Sequence, residues 1–303
     1  MTKYYLSVFE TLFACLNLKA KEESKIRALA KINEFAGSTI TSPWKHIKKE
    51  DLVKGLTDYV KKPGEMVRQE ESNMCGMALC VKTMTEQNPE KIVDMAIAFY
   101  KGETYTSDKG NSYKPNENLY DLEKKFDYEG EWVDDKGKIH KYDVDTWKNQ
   151  DNVTFLLMSN LRNEQNAILS YQTDDTFEGL SGFTWPSDIT KLLKDEFDYV
   201  DAESHFWFDL DESIIDKFKS CLDQGYYVGL LLYWLDKEKK SNLVKNQSKN
   251  LISQHYVQLK DIKKLSDGKV ELTIWTWGNE HYIIEYESVS FFLEVVNYYW
   301  IYR

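Results

Sequence analysis

The sequence predicts an α+β fold in two lobes, with helices first and an antiparallel sheet last. Three observations predict it. Apolar residues recur at helical intervals in segments through about position 200. "GYYVGLLLYW" (225–234) is a continuous apolar run of the kind a buried strand carries. "HYVQLKDI", "KVELTIWTWG" and "HYIIEYESV" then alternate with period two and are joined by short turns, a meander. Helices segregated from an antiparallel sheet define the class. The 303 residues, 42% hydrophobic and 14% aromatic, suffice for a large core.

Residues 3 to 36 read as two helices that part near Leu18–Lys21. In "SKIRALAKINEFAG" (24–37), Ile26, Leu29, Ile32 and Phe35 fall at helical spacing and Gly37 ends the segment. "TSPWKH" (41–46) is a break, and "KEDLVKGLTDYV" (49–60) is helical up to Pro63–Gly64. A long helix follows Cys75, and another covers 88–102 with Pro89 at its start. Residues 103–119 are polar and read as a surface loop. Residues 128–144 read as a hairpin turning at Asp135–Gly137. "TFLLMSNLRNEQNAILSY" (154–171) and "PSDITKLLKDEF" (186–197) are further helices. The expected organisation is an N-terminal helical extension over 1–48 and one domain over 49–303. Its helical lobe runs to about 200 and its sheet lobe covers 201–303.

Fifty acidic residues against 39 basic give a net charge of −11, with no basic arm or stripe. This argues against nucleic acid and anionic membrane surfaces as partners. No run approaches the ~18 apolar residues of a membrane span. "YYLSVFETLFAC" (4–15) puts Ala14 before Cys15 as a lipoprotein signal does. Glu10 interrupts its apolar core, so it reads as an amphipathic helix. Cys15, Cys75, Cys80 and Cys221 have no metal-ligand spacing, and reduced thiols with no metal or cofactor are expected.

The stretch "RQEESNMCGMALC" (68–80) carries the candidate chemistry. A cysteine nucleophile needs a stabilised thiolate, a histidine in reach, and donors for the developing oxyanion. Ser72 or Asn73 is placed to cap a helix whose first turn holds Cys75, where the helix dipole favours a thiolate. Gln69 lies on the loop leading into that turn. Gly76 and Ala78 suit close packing against a second lobe. Of the histidines, His255 is the best base because it opens an apolar strand, on the parity of Val257 and Leu259. His205 is a second candidate; His46, His140 and His281 have polar or loop surroundings. Cys80, about 140° round the helix from Cys75, reads as a core thiol. The bland alternative, a buried free cysteine and a structural histidine, stays open on spacing alone.

These elements resemble papain-like cysteine peptidases: Gln69, five residues, Cys75 opening a helix, His255 on a late strand, and Trp277–Gly278 ending the next. "QEESNMCGMA", "SNLRNEQN" and "HYVQL…IWTWG" are similar to three motifs of a bacterial branch of secreted antibacterial effectors and polymorphic toxins. The likeness covers roughly residues 50–290. It implies a two-lobe papain-like fold in which Cys75 attacks a carbonyl and His255 acts as base and then acid. Gln69 and the Cys75 backbone N–H would form the oxyanion hole. The family's orienting Asn or Asp falls at Trp275 or Thr276, neither a carboxylate nor an amide, so Asn279 or a backbone carbonyl takes that role in this reading.

The expected function is therefore a cysteine hydrolase, a peptidase or amidase acting on a protein or peptide. Such a chain would be made in the cytoplasm and, if a toxin, delivered or secreted without a cleaved signal and bound by a cognate immunity protein. A rival reading is a catalytically inactive papain-like scaffold that binds protein. A non-enzymatic acidic partner, such as an immunity protein, is a third.

Overall fold

The computed structural model describes residues 2–67, 74–121, 131–133, 139–141, 152–165, 184–198, 200–204, 210–233, 243–244, 255–276 and 278–303. The first helix, α1, spans Thr2–Gly37 as one piece rather than two. The Leu18–Lys21 segment changes polarity, but Leu, Lys and Ala are strong helix formers and neither Gly nor Pro intervenes. Ala28, Ile32 and Phe35 of α1 belong to the same core as α2 (Lys49–Lys61). A short α3 (Pro63–Met66) follows, begun by the proline that ended α2.

The next helices, α4 (Cys75–Gln87) and α5 (Pro89–Lys101), meet at Asn88. Asn88 caps α5 by accepting the Lys91 N–H, and Ser24 of α1 donates to the same oxygen at 2.7 Å. Residues 103–119 form more than a loop. They hold a small hairpin, β1 (Tyr105–Thr106) with β2 (Ser112–Tyr113), and a 3₁₀ turn at Glu117–Leu119. The expected hairpin after it is present as β3 (Glu131–Val133) paired with β4 (Ile139–Lys141), though its Asp135–Gly137 turn lies outside the described residues. Helices α6 (Asn152–Gln165) and α7 (Pro186–Glu196) complete the helical part.

The sheet contains β5 (Val200–Ser204), β6 (Tyr227–Leu232), β7 (Leu243–Val244), β8 (His255–Lys264), β9 (Val270–Thr276), β10 (Asn279–Tyr286) and β11 (Val296–Tyr302). Its order is β5-β11-β6-β8-β9-β10-β7, antiparallel throughout except that β7 runs parallel to β10. The fold is α+β, with the helical part N-terminal and the sheet C-terminal. Two helices, α8 (Ser213–Asp223) and α9 (Val289–Val295), cover the face away from the helical lobe.

Strand alternation divides the sheet between two cores. Leu231, Tyr256, Trp275, Trp300 and Tyr302 join the helical lobe. Leu230, Leu232, Val257, Leu259, Leu272 and Ile274 join α8 and α9. Burial on both faces explains why β6 is apolar without a break. Gly229 in that strand is set by close approach, since a Cβ there would stand 3.0 Å from Leu79 Cδ2 of α4.

Candidate functional site

Cys75 is the first residue of α4 and is half-buried against the helical core. The N-cap position falls on Met74, whose side chain makes no cap bond; Ser72, Asn73 and Gln69 lie outside the described residues. Gly76 touches α7: a Cβ there would stand 2.7 Å from Thr184 Cγ2 and 2.8 Å from Ile189 Cδ1. Cys75, Leu79, Lys82 and Glu86 form one stripe at i, i+4, i+7 and i+11. Leu79 meets the sheet at Gly229, and Lys82 and Glu86 meet it at β8.

His255 opens β8 and is only 6% exposed. Its Nε2 lies 2.6 Å from Thr276 Oγ1, the last residue of β9. Asn279 does not hold the histidine. It is exposed, and its Oδ1 accepts the His281 N–H at 2.9 Å, a local turn bond that β10 makes with its own backbone. Thr276 occupies the place instead because it shares His255's strand parity in the antiparallel ladder, where Gln258 pairs with Trp275. Trp275 points the other way and donates Nε1–H to Gly64 O at 2.7 Å. His205 and Trp277 lie outside the described residues, as do the side chain of His140 and residues 166–171 of the expected 154–171 helix.

Two observations bring the N-terminus of α4 to the His255 end of β8. Tyr256 donates to Thr184 O at 2.8 Å, and Thr184 rests on Gly76. Burial first, and the neighbouring Cys75 next, push the Tyr256 phenol above its usual range. The parity of β8 runs otherwise. His255 pairs with Leu232 and follows Val257 and Leu259 on the α8 face, whereas Tyr256 and Gln258 face α4. Cys80 is fully buried, as expected of a core thiol, and burial pushes its pKa far up.

Below Cys75 lies a buried polar cluster the sequence did not suggest. Lys82, with no exposed side chain, donates to Gln258 Oε1, pairs with Glu86 at 2.8 Å, and stands 5.4 Å over the Trp275 ring. Gln258 donates in turn to Thr83 Oγ1 at 3.0 Å. Lys260 bridges Glu86 at 3.2 Å and Glu280 at 3.3 Å. Burial pushes the Lys82 ammonium down to about 7, against the pull of Glu86 and Glu280. The signal was one lysine inside the apolar run "CGMALCVKTM", seven residues beyond Cys75.

A cavity of about 1350 Å³ opens at the far end of α4, among Gln87, Lys91, Glu196, Tyr226 and Arg303. Neither Cys75 nor His255 lines it. Among the described residues no cluster of His, Cys, Asp and Glu is arranged to hold a metal ion, and no helix is long and apolar enough to cross a membrane. The chain matches no family model and no curated protein.

Proposed function

We propose that this protein is a papain-like cysteine hydrolase that cleaves a peptide or other amide bond with Cys75 and His255. The observation that carries the reading is the His255 Nε2–Thr276 Oγ1 bond. With Nε2–H donating to the hydroxyl, Nδ1 becomes the basic ring atom, as a base for a thiol requires. Thr276 then performs the orienting role expected of an Asn or Asp.

His255 Nδ1 takes the Cys75 proton while Sγ attacks the carbonyl carbon, forming the C–S bond. The oxyanion is met by the Cys75 backbone N–H, and by Gln69 as the resemblance implies. Collapse breaks the C–N bond, and the amine leaves with the proton from His255. Water, deprotonated by the same histidine, then hydrolyses the thioester. A secreted toxin role with an immunity protein over the Cys75 cleft belongs to the same reading.

The rival is a binding scaffold without turnover, and β8 parity favours it, since alternation carries His255 to the face away from α4. The pH dependence of Cys75 alkylation by iodoacetamide, in wild type and His255→Ala, separates the two. A hydrolase gives a thiolate titrating well below ~8.5 that is lost in the variant. An ordinary titration, unchanged by the variant, leaves the scaffold.

A further inference from the structure

Trp185 is 54% exposed, unusual for a residue type that is mostly buried, and it follows Thr184, which packs on Gly76, the residue after the proposed nucleophile. The residue before it, Thr184, rests against Gly76 and accepts the Tyr256 hydroxyl. Those contacts place Trp185 one residue from both the Cys75 turn and the His255 end of β8.

The backbone under the indole is held from several sides. Trp185 N donates to Asp188 Oδ2 at 3.2 Å, and buried Arg162 of α6 donates to the same oxygen at 3.0 Å. Pro186 sets the first helical φ of α7. An aromatic held out at such an anchored point offers apolar area with little ordering entropy left to lose. A second observation is polar. Thr184 Oγ1 is buried and has no hydrogen-bond partner among the described residues.

We propose that Trp185 is a specificity-determining residue: its indole forms the wall against which an aromatic or large aliphatic side chain of a polypeptide substrate lies, next to the bond presented to Cys75. This rests on Cys75 being the nucleophile. Iodoacetamide reports that nucleophile without using the wall, whereas a phenylalanine-derived and a glycine-derived chloromethyl ketone differ only in the side chain the wall would meet.

The experiment measures all three alkylation rates at Cys75 by peptide mapping in the full chain. It compares wild type, Trp185→Ala, Trp185→Gln and Trp185→Phe, each confirmed folded by circular dichroism. Wild type should prefer the phenylalanine reagent. Trp185→Ala and Trp185→Gln should lower that preference on the order of 10- to 100-fold, Trp185→Phe should keep most of it, and iodoacetamide rates should not change. A preference untouched in Trp185→Ala, with Cys75 still fast toward iodoacetamide, overturns the role of Trp185 alone. A Cys75 no faster than Cys221 toward iodoacetamide removes the nucleophile reading and this inference with it.

Discussion

The bond between His255 and Thr276 turns on a single oxygen. His255 is 6% exposed, so its ring nitrogens depend on protein partners rather than bulk water. Thr276→Val keeps the shape and removes the hydroxyl, leaving Nε2 in a buried place without its acceptor. The variant should lose about 1–3 kcal/mol of stability, and the Cys75 thiolate titration should move up toward the ordinary thiol value. Thr276→Ser should restore both. Urea melts and alkylation–pH profiles of the two variants decide the matter; a Val variant that alkylates like wild type removes Thr276 from the site. Asn279 supplies the contrast. Sequence favoured it as an amide of the expected chemistry, but an Asn two residues before a backbone N–H readily closes its own turn, and it does so here with His281.

At the scale of elements, α4 determines how closely α7 and the sheet pack against the rest of the helical lobe. Gly76 permits the approach to Thr184 and Ile189, whose side-chain atoms lie 2.7–2.9 Å from where a Cβ would sit. Gly76→Ala should therefore cost about 1–3 kcal/mol as overpacking, despite alanine's better helix propensity. It should also slow Cys75 alkylation as the helix start shifts; a Tm equal to wild type would show that α7 yields freely. Periodicity made α2, α5, α7 and the β8–β10 meander legible, because each carries a one-sided or alternating apolar pattern and a Pro, Gly or Asp at its end. Alternation is lost where both faces are buried, and β6 is legible there only as an unbroken apolar run. Strands β5 and β11, which pair with each other, and helices α8 and α9 were not read from the sequence. The places of β5, β11 and the seven-residue α9 are fixed by contacts across the sheet rather than by local pattern, whereas α8 carries its own one-sided pattern, with Ile214, Ile215 and Phe218 buried and Asp216, Lys219 and Ser220 exposed. Cys75 at a helix start and His255 at a strand start were legible as residue types at element boundaries. Lys82 and Trp185 were not, since their places arise only when α4, α7 and the sheet come together; position 276 was legible through the resemblance alone, as a place where an Asn or Asp is expected and a Thr stands.

At the scale of the whole molecule, the helical lobe and the sheet are joined through charge as well as apolar surface. Lys82 and Glu86 of α4 meet Gln258 and Lys260 of β8 and Glu280 of β10. Lys21, Tyr227 and Tyr302 face the same cluster: Lys21 is acted on by Glu86 and Lys260, and both phenols by Glu86. The pH dependence follows from the directions of the shifts. Lys82 is pushed down to about 7 by burial, so between about 7 and its ordinary 10.5 the unfolded chain holds the proton that the folded one sheds. Stability from this group therefore rises with pH across that window, by at most about 1.4 kcal/mol per pH unit, and below about 7 the cost of the buried charge is borne in full. Lys260 works oppositely. Burial lowers its pKa, but Glu86 and Glu280 outweigh burial and raise it, so its contribution is present below 10.5 and fades above. Glu86 is held low because Lys82 and Lys260 outweigh its burial. Its contribution is present above its ordinary 4.5 and is lost as pH falls through the depressed value. Lys82→Met removes only the first of these titrations directly. Urea midpoints from pH 6 to 10 should show the difference between wild type and variant moving in wild type's favour as pH rises. A constant difference would mean that Lys82 keeps its charge across the whole range, with the carboxylates of Glu86 and Glu280 fully offsetting its burial.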